Sequence, residues 1–400
     1  MRILRAVALV FLVAACGANV PGKAAEQLRL YEATATQIAV IDSISHVTLR
    51  HLPLGVPSND WTHLYSLSGD ALVDTDPRTG SPRRTLPLPG TYKLPAATST
   101  GLPGGTSPAG FWLVLASDEG LAGTVPTATH FLIIDTAEWR IAQAANLAGS
   151  FRFDAISDDG QRLYLIQYLN GKEYYVRLYD VASHRLDANI VIDKSNGEQS
   201  MTGTRLSGIT TPGGDWLFSM YVRESDGPFV HALNLTGPFA FCLDLPGHGY
   251  ASSGAEKQWS MAMDETGTTL YAVNTATGVV AYIDNSQQFN PQLKRTAHIT
   301  SGRSIGVGSN AAILSRDGRW LVAAGSSGVM WIDTTTLGVR MRALSDWQVW
   351  SLTLSPDGTE VYAMSAGGRV ADLATKTGQV LSTFDTTEGT PLALMRVASS

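Results

Sequence analysis

The residues able to act as nucleophiles, bases or metal ligands are scattered thinly through this chain. Its eight histidines (His46, His51, His63, His130, His184, His231, His248 and His298) form no HxH, HExxH or HxxxH pattern. Zinc or copper ligation therefore has no local signature, and no metal site is expected. Of the two cysteines, Cys242 sits inside the apolar run "FAFCLDL" and reads as a small buried hydrophobe, not a nucleophile. No GxSxG elbow, phosphate-cradling GxxxxGK[ST] loop or helix-opening GxGxxG occurs, so no cofactor is expected. The segment "DTDPRTG" (Asp74, Asp76) is the nearest approach to a calcium loop, and it lacks the several converging oxygens a hard cation requires.

Carboxylates do recur at fixed places. Asp-Gly appears at Asp159-Gly160, Asp317-Gly318 and Asp357-Gly358, with Gly213-Gly214 and Thr266-Gly267 as substitutes. Asp bonds its own following backbone and Gly accepts positive φ, so each pair makes a tight turn between strands. A catalytic carboxylate would be special in one copy, whereas these are interchangeable. A second series, Asp135, Asp180, Asn234, Asp284, Asp333 and Asp372, is expected to close the third strand of each repeat.

Those positions measure the architecture. Their gaps are 45, 54, 50, 49 and 39 residues, within the ~40–50 expected of propeller blades. The fullest copy, residues 347–384, divides into four apolar runs of strand length separated by turn clusters. Residues 310–344, 258–300, 206–245, 153–192 and 110–147 follow the same order, although "TSTGLPGGTSPAG" obscures the first strand of the last of these. Residues 62–90 give a short unit. Residues 29–55 lack an opening strand, which "TPLALMRVA" (390–398) would supply from the far end of the chain. Only 16% of residues are charged, while Gly numbers 39 and Pro 18, a balance that favours short strands and turns. The expected fold is all-β: a single β-propeller of four-stranded antiparallel blades over residues 28–398, eight-bladed or alternatively seven-bladed. Pairing of the C-terminal strand with the N-terminal blade closes it.

Ser355-Pro356-Asp357-Gly358 with Val361-Tyr362, and Leu270 to Asn274 with Tyr282-Ile283-Asp284, resemble the YVTN/WD40-like superfamily. That resemblance implies a propeller around a central channel and says little about function, because the fold carries binding scaffolds, lactonases and redox enzymes alike.

The N-terminus adds a location. "MRILRAVALVFLVAAC" has Arg2 and Arg5, an apolar run from Ala6 to Ala15, and then Cys16. That run is too short to cross a hydrocarbon core, which takes roughly 20 residues. "VAAC" resembles the lipobox of bacterial lipoproteins, which implies a signal peptide over 1–15, lipidation of Cys16, and a tether over 16–27. The expected place is the bacterial cell envelope, outside the cytoplasm, with the membrane reached through a lipid anchor. A net charge of -6 provides no basic field, and no nucleic-acid partner is expected.

Function is less legible. The leading expectation is a protein-interaction scaffold or a binding module for a small polar ligand, its partner another envelope protein or that ligand. The alternative is a lactonase-like hydrolase or cofactor-dependent dehydrogenase on the same ring. Loops between blades offer His248 and Tyr250 (in "PGHGYASSGAEKQW"), Arg303 and Trp347 as ligand-face candidates.

Overall fold

The computed structural model describes residues 27–117, 126–287 apart from 171, 196 and 198, then 289–304, 311–386 and 388–400. The apolar runs separate into eight antiparallel sheets, each built on four consecutive strands. Blade 1 is the exception that closes the ring: Pro391–Ser399 is its first strand, followed by Leu28–Thr34, Gln37–Asp42 and Thr48–Pro53. Blades 2 and 3 begin at Val56–Pro57 and Tyr92–Lys93, and blades 4 and 5 at Ser150–Ile156 and Thr204–Thr210. Blades 6, 7 and 8 begin at Trp259–Met263, Ala312–Leu314 and Val349–Leu354. Among the described residues the one helix is the short 3-10 turn Gly254–Lys257, and no helix is long and apolar enough to cross a membrane.

Burial explains the strand order. Middle strands are covered on both faces by neighbouring blades, so Trp216–Val222 and Trp320–Gly325 are buried at every position and read as continuous apolar runs. Fourth strands such as Val380–Asp385 alternate between exposed and half-buried positions, as the outer edge of a ring must. Between blades lie Trp216, Trp259 and Trp331, all essentially inaccessible. Each such side chain contributes about 1.5–3 kcal/mol relative to exposure.

The recurring Asp-Gly is a turn between first and second strands. Ser157 Oγ donates to Asp159 Oδ1 (2.5 Å), Gln161 N donates to the same oxygen (2.9 Å), and Gly160 takes φ of 69°. Ser315–Asp317 and Ser355–Asp357 repeat the arrangement at 2.6 and 2.8 Å. Hydrogen bonds from the Ser315 hydroxyl and then the Arg319 N–H hold Asp317 below the usual carboxylate range. Asp135 and Asp333, which end third strands, each accept backbone N–H groups two and three residues on. Asp372 departs from that series. It lies inside Arg369–Ala374, and the position opposite the start of the second strand is Ala374, paired with Glu360 as Asp333 is with Trp320. The carboxyl of Asp372 is instead buried, which pushes its pKa up to about 7 with a further push from Glu360.

A second buried acid lies at the closure. Glu32 on Leu28–Thr34 is fully inaccessible, with Leu394 of the closing strand and Ala39 as its sheet partners. Its Oε1 accepts from Thr386 Oγ1 at 3.1 Å, and Oε2 has no hydrogen-bond partner in the protein. Burial pushes its pKa up to about 7; the Thr386 bond opposes this and Glu388 adds to it. A folded pKa above the ordinary 4.5 means that the native state holds this proton more tightly than the unfolded chain does. The stabilisation is full below about 4.5 and is lost as pH rises through 7. Glu32→Gln should therefore gain on the wild type, by on the order of 1–3 kcal/mol, between pH 5.5 and 8.5 in urea unfolding. A constant difference across that range would show that Glu32 does not titrate there.

Candidate functional site

Blade 3 is where the repeat breaks. Its first strand is only Tyr92–Lys93, after which the chain leaves the sheet and returns at Trp112–Ser117. The intervening loop folds on itself, Ala97 N donating to Leu102 O and Gly104 N to Pro95 O, each at 2.7 Å. It then reaches around the ring. Ser99 N donates to Leu206 O in blade 5 (2.8 Å). Past Gly105 the chain is back in blade 3, where Ser107 N donates to Trp112 O and Gly110 N to Ser107 O in the turn between its first and second strands, and Ala109 N of that turn donates to Asp158 Oδ1 in blade 4 (2.7 Å). Asn59 of the blade 2 segment donates to Pro108 O. Leu102 packs against the core of blades 1 and 2 around Tyr31 and Leu64. Blade 1 and blade 5 are opposite members of an eight-blade ring, so the loop crosses the channel as a plug. Gly105 returns it to the sheet: its φ is +109°, its carbonyl accepts from Val114 N (2.8 Å), and a Cβ there would lie 2.6 Å from Val114 O.

Beside the plug, off the ring axis, lies a cleft of about 1260 Å³ between blades 3, 4 and 5. It opens among the starts of first strands and the loops joining second to third strands, on the rim opposite the Asp-Gly turns. Four basic side chains line it: Arg152, Lys172, Arg205 and Arg223. Three have acid partners, Lys172 with Glu224 at 2.8 Å, Arg223 with Asp244 at 3.1 Å and Arg205 with Asp154 at 3.4 Å. Arg152 has no carboxylate partner among the described residues and stands over the Tyr168 ring, 5.1 Å from its centroid. Tyr168, Tyr174, Tyr221 and Tyr250 contribute aromatic walls. The hydroxyl pKa values of Tyr174 and Tyr221 are raised, chiefly by burial.

The floor is charged and buried. Asp154 is the extra residue of a bulge in Ser150–Ile156, where the register skips from Phe153–Leu165 to Ala155–Tyr164. Thr204–Thr210 has a matching irregularity between Arg205 and Ser207. Bulges gather beside functional sites because they re-aim side chains. Behind Arg205, the face of blade 5 turned to blade 4 carries Ser219, His231 and Cys242 side by side in register. His231 is 1% exposed. Burial lowers its pKa, as does Arg205, while Asp154 and Asp193 oppose the shift. Burial, reinforced by Asp193, raises the Cys242 thiol far above its ordinary range, so Cys242 is inert as the apolar run implied.

Of the four ligand-face candidates, Tyr250 alone lines the cleft. His248 is exposed in the same loop, its N–H donating to Glu256 Oε1 at 3.1 Å. Arg303 is exposed on a connection further round, its N–H bonded to Ser326 Oγ. Trp347 is 7% exposed within the core of blades 7 and 8, with Arg369 stacked on it at 4.1 Å. Cys16 lies outside the described residues. Asp74 and Asp76 of "DTDPRTG" are engaged by Arg84 and Arg83 at 2.8 and 2.5 Å. Among the described residues no group of three or more His, Cys, Asp or Glu could hold a metal ion.

With this geometry in hand, comparison adds the fold and little else. No family model matches the chain and no curated protein matches it. Among solved structures it is similar to the dihydro-heme d1 dehydrogenase NirN in complex with DHE. Identity is 13% over 94% of this chain and 75% of that one, with a TM-score of 0.53. It is also similar to the Pseudomonas aeruginosa periplasmic gluconolactonase PpgL, at 19% identity, 93% and 99% coverage and TM-score 0.46. Kuenenia stuttgartiensis hydrazine synthase follows at 16% identity, 78% and 90% coverage and TM-score 0.43. At such identities the likeness concerns fold alone. The chain is an eight-bladed β-propeller.

The plug's dependence on Gly105 is open to measurement. Gly105→Ala should destabilise the protein by about 1–3 kcal/mol, through strain at positive φ and the clash with Val114 O. Gly101→Ala, at φ +94° with nothing within 4 Å of its Cβ, should cost less. Equal losses in urea unfolding would show that the plug's return is not constrained.

Proposed function

We propose that this protein is a lipid-tethered, extracytoplasmic β-propeller that binds a small, anionic, polar molecule in its off-axis cleft. One observation carries this reading: Arg152, with no acid partner, stands over Tyr168 at the mouth of the 1260 Å³ cleft. A guanidinium held against an aromatic face retains free donors for a carboxylate or phosphate. A concave site with aromatic walls and a few convergent polar groups suits a small molecule. A protein partner would more naturally seek a flatter surface of ~800 Å². The lactonase or dehydrogenase alternative has less in its favour. His231 lies beneath the floor, and of the acids lining the cleft Glu224 is held by Lys172 while Asp226 is exposed on the same loop.

The tether part of the proposal rests on the "VAAC" segment alone. Cys16→Ser should move the protein from the membrane fraction to the soluble extracytoplasmic fraction, and unchanged membrane association would refute the anchor. For the cleft, the full chain would be heated with a panel of small carboxylates, phosphates and neutral solutes at millimolar concentration. Anionic members should raise the melting temperature of the wild type, and Arg152→Ala should weaken them at least tenfold. A panel with no active member, or hits indifferent to Arg152→Ala, would defeat the reading.

A further inference from the structure

Among the described residues nine large apolar side chains are exposed, and five of them lie on blades 1 and 8: Ile44, Val47, Leu49, Val380 and Leu381. These blades are neighbours across the closure, where His46 stacks on Phe384 with ring centroids 4.0 Å apart. Register makes the two leucines equivalent. The third and fourth strands of blade 1 skip from Val40–Arg50 to Ile41–Thr48, which leaves Leu49 as the bulged residue. Blade 8 skips from Asp372–Ser382 to Leu373–Val380 and leaves Leu381. The same skip leaves Arg83 in blade 2, Lys294 in blade 6 and Arg340 in blade 7, all exposed. A solvent position that takes a cation in three blades thus takes leucine in the two that meet at the closure.

Charge is withdrawn from this face. Residues 43–49 and 379–384 contain no Asp, Glu, Lys or Arg. Asp42 is 2% exposed, and its Oδ1 accepts from the N–H groups of Ile44 and Ser45 at 3.0 and 2.7 Å. Asp385 is paired with Arg369 at 3.5 Å, and Lys376 stands exposed in the turn before Val380. An apolar face with its nearest acids engaged and a cation at its margin suits the interface of an anionic bilayer. Where the chain enters the ring argues for that occupant. Gln27 Nε2 donates to Asp42, Leu28 N to Ser43 Oγ and Ser43 N to Leu28 O, the last two at 2.9 Å. The turn carrying Ile44 and Val47 is therefore bonded to the first residues of the propeller. Gln27 lies eleven residues beyond Cys16. At no more than ~3.6 Å per residue, that keeps the turn within about 40 Å of an anchored Cys16. Tethering raises the effective concentration of lipid at the turn, so a small apolar area suffices.

We propose that Ile44, Val47, Leu49, Val380 and Leu381 form the face by which the propeller rests on a lipid bilayer. The inference rests on the proposed lipid anchor and adds an orientation to it. The face belongs to the turns and fourth strands of blades 1 and 8, whereas the cleft opens between blades 3, 4 and 5 on the opposite rim. Resting in this way turns the cleft from the lipid toward free solute. The test uses the full chain, purified in detergent and reconstituted in vesicles of phosphatidylethanolamine and phosphatidylglycerol with a doxyl-lipid quencher. A fluorophore is attached at Val47→Cys or, as the control, at Leu169→Cys on the opposite rim. Both positions are exposed and Cys242 is buried, so folding is kept and the label goes to one place. Lipid should quench the label at position 47 by roughly half or more and leave that at position 169 nearly unchanged. Ile44→Ser with Leu49→Ser should remove most of that quenching while the protein still floats with the vesicles. Equal quenching at the two positions, or none at either, in protein that floats would overturn the face and leave the anchor standing. Disulfide-linked pairs of Val47→Cys chains in place of quenching would assign the face to a second copy and overturn the proposal as well. Protein that fails to float, with Cys16→Ser behaving identically, would remove the anchor and the face together.

Discussion

The pairing of Pro391–Ser399 with Leu28–Thr34, from Leu28–Ser399 to Thr34–Pro391, is the contact on which the rest of the molecule depends. A stack of eight sheets has two open ends, and each would present unpaired backbone and apolar surface. Supplying blade 1 with a strand from the other end of the chain abolishes both ends at once. It also sets the ring at eight blades, and so sets the width of the channel. The loop that leaves blade 3 lies across that channel, Ser99 bonded to Leu206 of blade 5 and Leu102 packed against Tyr31 and Leu64 of blades 1 and 2.

The plug has a further effect, because it occupies the axis and pushes accessible space aside. The cleft lies where the plug meets blades 4 and 5, whose interface, like the closure at Glu32, carries buried polar groups. The interface of blades 7 and 8 is built from apolar side chains such as Trp331, Val349 and Ala371. Between blades 4 and 5 the apolar packing around Tyr164 and Leu233 is interrupted by Asp154, Arg205, Ser219 and His231. Replacing a buried ion pair with apolar groups is often neutral or stabilising. A pair with idle donors and acceptors is therefore a poor investment in stability alone.

Most of the fold was legible in the sequence because strands buried on both faces must be apolar and their turns must contain residues such as Asp and Gly. Seven blades betray themselves by that rhythm, and the eighth by the unit missing its first strand. The slip at Asp372 has a plain cause: an acid two residues early in the third strand imitates the turn-closing Asp. The site was less legible. Tyr250 was reached because it lies in an irregular connection, whereas Arg152, Asp154 and Arg205 lie inside first strands that otherwise keep the pattern. "FRFDAI" and "TRLSGIT" place charges where "WSMAM" and "AIL" have none. A charge in an inner strand was the available signal, but the fold was needed to show that two such charges meet.

The two rims of the ring divide the labour accordingly. The rim of Asp-Gly turns repeats because each turn solves the same local problem, reversing a chain between two buried strands. Nothing there distinguishes one blade from the next, and a ligand would find several equivalent positions and no specific one. The opposite rim holds the connections between blades and the loops between second and third strands, whose lengths vary freely. Specific recognition requires groups of different chemistry fixed at one place, so it must arise where the repeat is broken. In this chain the breaks coincide: the plug from blade 3, the bulges at Asp154 and beside Arg205, and the loop carrying Tyr250 all face the same cleft. Four irregularities, the plug, two bulges and the Tyr250 loop, share one location, and that is where the ring departs furthest from its repeat.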